Sequence, residues 1–555
     1  MASSTRTPEI QILAETDTTT FTIPDRLTIE QVAKRRAAYG SFNAGVAAAV
    51  DVELFKGRTH HSHKGKAKRW DHRLTHEAKV RQGNSLKTAA KHLKTPGLIS
   101  LGGGLPSSEY FPFEELSITV PSLASLSPSQ PNGHADTSTL KAGKNEILTA
   151  GKHDLAEGVS LYDIATACQY GQGHGAAQFL RWMIEHTEIV HNPPYRDWSC
   201  TMTIGSTSAC DFAFRLFCNP GDWILTEQYT YPTMVVAAQG MGINIAAVGM
   251  DEHGMLATSL DDILSNWNVA ERGGPKPFVV YTVPTGQNPT GFTQPLQRRK
   301  EIYAVAQKHD LYIFEDEPYY FLQMQPYTGA NAPDVPPPTS HSDFIHSLVP
   351  SYLSLDVDGR VLRMDSFSKV IAPGSRVGWI TASEQICEKY RMLSDLATQG
   401  PSGISQLVLF KLLDESWGHG GYLDWLIKIR MEYTERRDSI LKACETYLPR
   451  DLVRWVAPSA GMFLWLEIDY KKHPHFADKT LLEIEEEIFL KNIAHGTLLM
   501  CGSWFVAEQK AGKDTLFFRA TYAAAPADQI NEAIKRFGAA IRESFGLAPL
   551  ANGTH

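Results

Sequence analysis

The sequence predicts an α/β protein with a mostly parallel, seven-stranded sheet between helices, followed by a smaller α+β domain. Two observations support this prediction. Between residues 199 and 380, seven short apolar segments alternate with helical segments, and such alternation is typical of a parallel sheet covered by helices. The chain also has 555 residues, of which 43% are hydrophobic, so it can bury a large core.

The predicted elements of the large domain alternate along the chain. The strands are Ser199–Ile204, Trp223–Thr226, Ile243–Val248, Pro277–Val283, Leu311–Phe314, Val361–Met364 and Val377–Ile380. The helices between them are Thr207–Cys218, Pro232–Met241 and Gln294–His309. The first of these helices ends before Asn219-Pro220-Gly221, because proline and glycine interrupt a helix.

The pattern becomes helical from about Glu384. Two long helices are predicted over Ser405–Leu413 and Tyr422–Tyr447, and a closing helix over Ala527–Phe545. Strands return near Arg454–Ile468 and Leu516–Thr521, so this part of the chain is expected to form an α+β domain.

These patterns divide the chain into five expected parts. They are an N-terminal extension (1–75, partly irregular), an N-terminal arm with the start of the small domain (76–120), an exposed insertion (121–151), the large domain (152–383) and the small domain (384–555). The stretch Lys56 to Arg81 is rich in Lys, Arg and His, and we expect it to be a solvated, partly mobile basic segment. Its histidines lack the spacing of metal ligands, so no metal is expected.

Composition narrows the function classes. The net charge is −8, whereas a general nucleic-acid binder is usually basic. Seven cysteines, an odd number without a CxxC pair, favour a reducing compartment. No apolar run reaches the ~18 residues of a membrane helix. No apolar segment follows the first residues as in a secretory signal, so we expect a cytoplasmic protein without nucleic-acid or membrane partners.

Several polar residues follow predicted strands, where parallel sheets bind ligands. Asp316 ends one strand, Lys369 follows another, and Asn288 lies in the turn after a third. Gly205-Ser206-Thr207 joins a strand to a helix, and a helix N-terminus favours a phosphate. Singly, each has an ordinary explanation as a cap, a surface lysine or a turn. Together they fit one ligand with a phosphate, a pyridinium nitrogen, a phenolic oxygen and an aldehyde.

With its other motifs, the chain resembles the fold-type I pyridoxal-phosphate aminotransferases, and among them the fungal aromatic and the kynurenine/2-aminoadipate aminotransferases. The match runs from about residue 75 to the end. The motifs that carry it are Ile99–Pro106, Tyr170-Gly171 with Gly175, Leu180-Arg181, Gly205-Ser206, Asn288–Gly291, Glu315–Tyr320, Asp365–Lys369 with Arg376, and Phe518-Arg519.

The resemblance implies a pyridoxal 5′-phosphate site. Lys369 is expected to bind the cofactor's aldehyde covalently and to act as the base, with Asp316 on the pyridine nitrogen and Tyr319 and Asn288 on the phenolic oxygen. Tyr231 is expected to stack on the ring. The residues expected to hold the phosphate are Gly205, Ser206, Thr207, Ser366, Ser368 and Arg376.

The resemblance also implies how substrates bind. Arg519 is expected to grip the α-carboxylate, with Asn288, Gly103 and Gly104 near the substrate. Tyr170 is expected to reach the active site of a partner subunit, which implies a homodimer with composite sites. Lys87 follows a departure from the family pattern, an inserted residue before Ser85 and a missing proline, so its contact with the substrate stays open.

The expected activity is ping-pong transamination between an L-amino acid, preferably Phe, Tyr or Trp, and 2-oxoglutarate or a related keto acid. A kynurenine/2-aminoadipate or broad-specificity aminotransferase is an alternative within the same family. Another pyridoxal-phosphate reaction, such as a β-lyase step, would use the same cofactor residues. A transcriptional regulator with an aminotransferase-like body is disfavoured, because residues 1–75 show no helix-turn-helix pattern.

Overall fold

The computed structural model describes most of the chain from residue 26 onward. The described residues are 26–39, 46, 52–57, 61–83, 85–89, 92, 95, 97–99, 101–102, 104–126, 145–330, 333, 335–508 and 515–550.

Fifteen strands form four sheets in the described part of the chain. The strands are β1 Glu115–Pro121, β2 Asn145–Gly151, β3 Trp198–Thr203, β4 Trp223–Glu227, β5 Asn244–Val248, β6 Met250–Asp251, β7 Gly254–Met255, β8 Val279–Thr282, β9 Tyr312–Asp316, β10 Val361–Ser366, β11 Gly378–Ser383, β12 Val453–Trp455, β13 Phe463–Ile468, β14 Met500–Cys501 and β15 Leu516–Thr521. The seven-stranded sheet has the order β3-β11-β10-β9-β8-β4-β5, and β6 and β7 form a two-stranded sheet of their own. All neighbours in the seven-stranded sheet are parallel except β11, which runs antiparallel to both β3 and β10.

The helices cover these sheets. They are α1 Ile29–Tyr39, α2 His76–Val80, α3 Ser85–Ala89, α4 Leu123–Leu126, α5 Asp154–Glu157, α6 Ile164–Ala167, α7 Ala177–Val190, α8 Gly205–Phe217, α9 Pro232–Gly240, α10 Ala257–Ser265, α11 Val269–Arg272, α12 Leu296–Lys308, α13 His341–Ser347, α14 Tyr352–Leu355, α15 Glu384–Ala397, α16 Gly403–Phe410, α17 Gly418–Tyr447, α18 Leu481–Ala494 and α19 Ala527–Ser544. A π-helical segment, Lys411–Ser416, joins α16 to α17. No helix among the described residues is long and apolar enough to cross a membrane.

Alternate residues of the central strands enter two hydrophobic clusters. On β9, Tyr312 and Phe314 pack on one face of the sheet with Phe214 and Phe217 of α8, whereas Ile313 packs on the other face. Every residue of β3, β8, β9, β10 and β11 is buried, as expected when helices cover both faces of a parallel sheet. The predicted α/β class is confirmed.

The four-stranded sheet has the order β12-β13-β15-β14 and is antiparallel throughout. It forms a third hydrophobic cluster with α18, α19 and the C-terminal part of α17. The N-terminal part of α17, from Tyr422 to Ile427, belongs instead to the cluster of the large sheet. The limits drawn at 152 and 384 stay a prediction.

Most predicted elements are present with ends shifted by one to three residues. The predicted strand region Arg454–Ile468 contains two strands, β12 and β13, separated by a turn. Helices α7 and α18 were not predicted. Every residue of α7 is buried, yet Arg181, Glu185 and Glu188 recur at i, i+4 and i+7 and form one polar face, a helical signal that the prediction did not use.

The two ends of the expected exposed insertion (121–151) belong to a hairpin formed by β1 and β2. β1 pairs antiparallel with β2 from Glu115 opposite Gly151 to Pro121 opposite Asn145. Leu116, Ile118 and Leu148 pack against the large cluster, so one face of this hairpin is anchored. Residues 127–144 lie outside the described residues.

The basic N-terminal segment is not uniformly solvated, and that expectation is wrong for Lys56, His61 and Lys64, which are all buried. Lys64 Nζ donates to Asn192 Oδ1 at 2.7 Å, and the His61 ring lies 2.7 Å from Glu188 Oε1. His61 thus contacts an acid of α7, whereas Lys64 also donates to the carbonyl of Pro193 and Lys56 pairs with Glu53. Each of these three buried side chains has a partner, because an unpaired one is costly in a dry interior.

Two arginines of helix α1, Arg35 and Arg36, form ion pairs with acids of α7. Arg36 Nε donates to both carboxylate oxygens of Glu185, at 3.0 and 2.8 Å, and the same guanidinium contacts Asp414. Burial opposes ionisation of Glu185, but hydrogen bonds from His419 and Arg36 outweigh it and lower its pKa to about 2. This carboxylate therefore stabilises the fold above its ordinary pKa, and the contribution is lost as pH falls toward 2.

We predict that Arg36→Met lowers the free energy of unfolding by about 3–5 kcal/mol at neutral pH, because Glu185 and Asp414 lose a buried partner. Urea unfolding followed by tryptophan fluorescence measures the change. Lys34→Met, which removes the same charge from an exposed position of α1, is the matched control. Equal midpoints for the two variants would show that the contact between α1 and α7 is not stabilising.

Candidate active site

Three adjacent parallel strands, β8, β9 and β10, end at one edge of the sheet. Asn288 lies in the loop after β8, Asp316 is the last residue of β9, and Lys369 lies in the turn after β10. Helix α8 begins at Gly205, after β3. Residues far apart in sequence therefore lie at the edge where ligands bind in sheets of this kind.

Asp316 is buried and has one oxygen in use. Tyr281 Oη donates to Asp316 Oδ2 at 2.7 Å, while Oδ1 has no hydrogen-bond partner within the part of the chain that the structure describes. Ser206 Oγ lies close enough to lower the pKa of Asp316 but does not reach hydrogen-bond geometry with it. Burial dominates and raises that pKa to about 6. A buried acceptor without a partner fits an N–H group of a ligand, because such an oxygen is otherwise costly.

Gly205 and Arg376 form a cradle for an anion. Gly205 has a φ of +76°, and a Cβ there would lie 2.5 Å from Arg376 Nη2, so only glycine fits. Arg376 Nη2 donates to the carbonyl of Ile204 at 2.8 Å, which holds the guanidinium beside the first turn of the 13-residue helix α8. Cation, helix dipole and free backbone N–H groups together suit a phosphate.

Hydroxyl groups and Lys369 complete this part of the site. Ser366 Oγ donates to Ser368 Oγ at 2.8 Å in the turn that carries Lys369, and Thr207 is exposed on the first turn of α8. Lys369 is half-buried; burial lowers the pKa of its amine, and the charge of Arg376 lowers it further. A lysine with a lowered pKa is more readily neutral, as a nucleophile or a base must be.

The small domain supplies Arg519 from β15. Arg519 Nη1 donates to Asn288 Oδ1 at 2.7 Å. Its guanidinium lies 4.4 Å from the centre of the Phe463 ring and 4.6 Å from that of Phe505. The two rings and Asn288 restrict the guanidinium, so its planar fork is held in place for a carboxylate.

Tyr319 and Tyr231 lie near Arg519, and Tyr319 also lies near Asp316. Tyr319 is buried, with its ring edge-on to Phe463 at 5.7 Å between centroids. Burial and then the nearby Asp316 raise its pKa, while Arg519 lowers it. Tyr231 is half-buried at the N-terminus of α9. Burial lowers the pKa of Arg519, and the nearby Tyr319 and Tyr231 oppose that shift. The phenol of Tyr319 therefore stays protonated and available as a donor.

The remaining predicted residues lie elsewhere. Gly104 is exposed, with open space around its Cα, and Tyr170 is 57% exposed beside a cavity of about 260 Å³. Gly103 lies outside the described residues. Lys87 Nζ forms an ion pair with the buried Asp395 at 2.8 Å, so within one chain its charge is already compensated.

A buried ion network lies behind the site. Arg363 Nε and Nη2 each donate to Asp365 at 2.8 Å, and its Nη1 lies 3.2 Å from Glu315. Arg299 lies 3.4 Å from Glu317, and of these five residues all but Asp365 have fully buried side chains. Burial raises the pKa of Glu317 above its ordinary value despite the two nearby arginines, so burial favours the neutral form of this acid.

The sequence prediction missed Tyr281, Phe463, Phe505 and this network. Tyr281 could have been found, since Tyr281 and Asp316 follow the alternation of neighbouring strands onto one face. The contact of Arg519 with Phe463 and Phe505 had no such signal, because it depends on how three distant segments meet.

This fold and this site define a fold-type I transferase that depends on pyridoxal phosphate. The family model for aminotransferase class I and II matches residues 128–537. An aromatic amino acid aminotransferase of Schizosaccharomyces pombe is 43% identical over 480 residues, 85% of this chain and 98% of that protein. The mitochondrial kynurenine/α-aminoadipate aminotransferase of Mus musculus is 33% identical, covering 85% and 99%.

The solved structures agree. The crystal structure of aminotransferase Aro8 from Candida albicans has a TM-score of 0.81 and 41% identity, and the match covers 87% of this chain and all of that one. The chain belongs to the class I and II aminotransferase family, and it is an aminotransferase whose cofactor is pyridoxal 5′-phosphate.

We predict that Arg363→Met lowers the free energy of unfolding by about 3–5 kcal/mol, because Asp365 would lose its ion-pair partner in a buried site and Glu315 would keep only the more distant Arg299 at 3.8 Å. Glu317→Gln should cost less than Arg363→Met, since burial already favours the neutral form of this acid and glutamine keeps an oxygen that can accept from Thr285 and Arg299. Urea unfolding of both variants measures the difference. A loss for Glu317→Gln as large as that for Arg363→Met would contradict the charge balance.

Proposed function

We propose that this aminotransferase transfers the amino group of an aromatic L-amino acid (Phe, Tyr or Trp) to 2-oxoglutarate or a related keto acid in a ping-pong reaction. The supporting observation is Arg519, a guanidinium fork held by Asn288 between the rings of Phe463 and Phe505. It combines a carboxylate grip with an apolar, aromatic surface. The name of the S. pombe relative supports the same donor class.

We propose the following cofactor contacts. Lys369 holds the cofactor covalently, Asp316 Oδ1 accepts from its pyridine nitrogen, and Tyr319 and Asn288 donate to its phenolic oxygen. Tyr231 stacks on the ring. The phosphate is held by Gly205, Ser206, Thr207, Ser366, Ser368 and Arg376. When bound, pyridoxal phosphate supplies an electron sink for the bonds at the substrate Cα and carries the amino group between half-reactions.

The chain's own groups then orient the substrate and move its proton. Arg519 binds the α-carboxylate and thereby places Cα near Lys369. The lysine amine would accept the proton from Cα of the donor and deliver it to the cofactor's C4′ in the same half-reaction, and the second half-reaction would move a proton from C4′ back to Cα of the new amino acid. The lowered pKa of the lysine favours the neutral form that accepts a proton. Asn288 orients Arg519 and contacts the cofactor, so it couples carboxylate binding to cofactor position.

Two alternatives differ from this proposal only in the amino donor. The name of the mouse relative supports kynurenine or 2-aminoadipate as a donor, and a broad donor range is compatible with the same carboxylate grip. A β-lyase reaction would consume the amino acid without forming a new one from 2-oxoglutarate, so product analysis separates it from transamination.

We predict that Phe, Tyr and Trp give higher kcat/KM than 2-aminoadipate or kynurenine with 2-oxoglutarate as acceptor. Lys369→Ala should lose about 10²- to 10⁴-fold in turnover and the visible cofactor absorbance, because base and covalent link are removed together. Purified holoenzyme and a donor panel with glutamate detection measure both. Lys535→Ala, an exposed lysine of α19, is the control; retained turnover in Lys369→Ala would refute the assignment.

We propose that the enzyme is a homodimer with composite sites. Large apolar side chains of the N-terminal arm are exposed to solvent when one chain is considered alone. Ile99 is 88%, Leu101 95% and Tyr110 85% exposed. A second copy of the chain is the occupant that fits, because Tyr170, expected to serve a partner's site, lies in the same region: Gln169 Nε2 donates to the carbonyl of Pro106 at 2.7 Å.

We predict that inactive Lys369→Ala and Tyr170→Ala chains complement each other when co-refolded or co-expressed. A mixed dimer then has one site with an intact lysine from one chain and an intact tyrosine from the other. Random pairing gives about one quarter of wild-type activity. If Tyr170 instead served its own chain's site, no mixed dimer would have an intact site, and activity would stay at the level of the parents.

We also propose a cytoplasmic location. All seven cysteines are free, which suits a reducing compartment. Imaging the fluorescently tagged full-length chain tests this, and an organellar pattern would refute it.

A further inference from the structure

Tyr281 is a buried phenol whose hydroxyl is committed to the active-site acid. It lies on β8 directly opposite Phe314 of β9, two residues before Asp316, so its side chain shares a face with that aspartate. The phenol is fully buried, and Oη donates to Asp316 Oδ2 at 2.7 Å. Neither partner can exchange this bond for one to water.

The bond gives the two oxygens of Asp316 different surroundings. Oδ2 is occupied by Tyr281, whereas Oδ1 has no partner among the described residues. Other groups near the carboxyl are Ser206 on α8 and Asp365 and Arg363 on β10, but none of them reaches hydrogen-bond geometry with it. Tyr281 therefore determines which oxygen is left for a ligand.

The bond also favours the ionised carboxyl. Burial raises the pKa of Asp316, and the hydrogen bond from Tyr281 is the largest effect that opposes it. Burial raises the pKa of Tyr281 well above its ordinary value, so the phenol keeps its proton and remains a donor. A donor to the charged form of an acid stabilises that form.

We propose that Tyr281 is a positioning residue of the reaction: its hydroxyl holds Asp316 ionised, with Oδ1 free for the pyridine nitrogen, and so keeps the shared proton on that nitrogen. This inference rests on the proposed contact between Asp316 and the ring. Without Tyr281, the same proton can pass from the nitrogen to Oδ1, which leaves a neutral acid and a neutral ring. Only the proton moves, and no electrons are exchanged.

The neutral pair would be favoured because an ion pair in a dry site depends on its surrounding donors. A ring without the positive charge is a weaker electron sink, so the effect on the reaction is larger than the effect on binding. Tyr281 thus acts through Asp316 without touching the substrate, and its removal should lower kcat more than it changes the KM for the amino acid.

The test compares Tyr281→Phe with wild type as holoenzymes reconstituted with ¹⁵N-labelled pyridoxal phosphate. We expect the ring-nitrogen NMR signal of Tyr281→Phe to move toward the unprotonated position, and kcat to fall about ten- to a hundredfold, the effect of losing a hydrogen bond to a charged group. Tyr312→Phe is the matched control, because Tyr312 is a fully buried tyrosine of β9 whose hydroxyl has no hydrogen-bond partner among the residues that the structure describes.

A signal in Tyr281→Phe identical to those of wild type and Tyr312→Phe would overturn the inference. Asp316→Asn separates this failure from that of the site assignment: if Asp316→Asn also leaves the nitrogen signal unchanged, the contact of Asp316 with the ring is wrong. If Asp316→Asn shifts the signal and Tyr281→Phe does not, only the role of Tyr281 is wrong.

A double-mutant cycle guards against a purely structural effect. Adding Tyr281→Phe to Asp316→Asn should cause no further loss of kcat, because the route through the carboxyl is already broken. An equal loss in both backgrounds would overturn the inference. If Tyr281→Phe folds poorly, as judged by thermal unfolding of the holoenzyme, Tyr281→His, which can restore a donor, should retain the protonated nitrogen signal; an unprotonated signal there would also overturn it.

Discussion

The pairing of Arg363 with Glu315 and Asp365 is the constraint on which the active site depends. Charges in a dry interior must be compensated where they stand, so the strands that carry them cannot slide. Arg363 and Asp365 lie on β10, and Glu315 lies opposite Arg363 on β9. Glu315 also accepts from the backbone N–H groups of Tyr352 and Leu353, which extends the constraint to α14.

The alternation of side chains along β9 connects this ion network to the active site. Because side chains of a strand point to opposite faces in turn, holding Glu315 and Glu317 on one face places Asp316 on the other. Asp316 then lies near Ser206 at the N-terminus of α8, while the turn after Asp365 carries Ser366, Ser368 and Lys369. A one-residue slip of β9 would turn Glu315 or Glu317 toward the ligand side of the sheet in place of Asp316. It would also separate these acids from the arginines of the network.

The sequence predicted those parts of the molecule that depend on local order. Lys369, Asp316 and Asn288 could be identified because each follows a strand, and strand ends of a parallel sheet share an edge. The burial of Lys56, His61 and Lys64 could not be predicted, because it depends on partners more than a hundred residues away. These partners are the carbonyl of Arg196, the Glu188 carboxylate and the Asn192 amide. The burial of α7 on all sides could not be predicted either, because the polar face formed by Arg181, Glu185 and Glu188 is typical of a helix exposed to solvent on one side.

The partnership between α1 and α7 also affects how the chain is made. Arg35 and Glu188 are separated by 153 positions, and His61 and Glu188 by 127. At a synthesis rate of about 5–20 residues per second, the basic segment leaves the ribosome roughly ten seconds before its acids exist. This segment is therefore synthesised well before α7 and is among the later parts of the chain to reach its final position, and until then its cations are open to the polyanions of the translating ribosome.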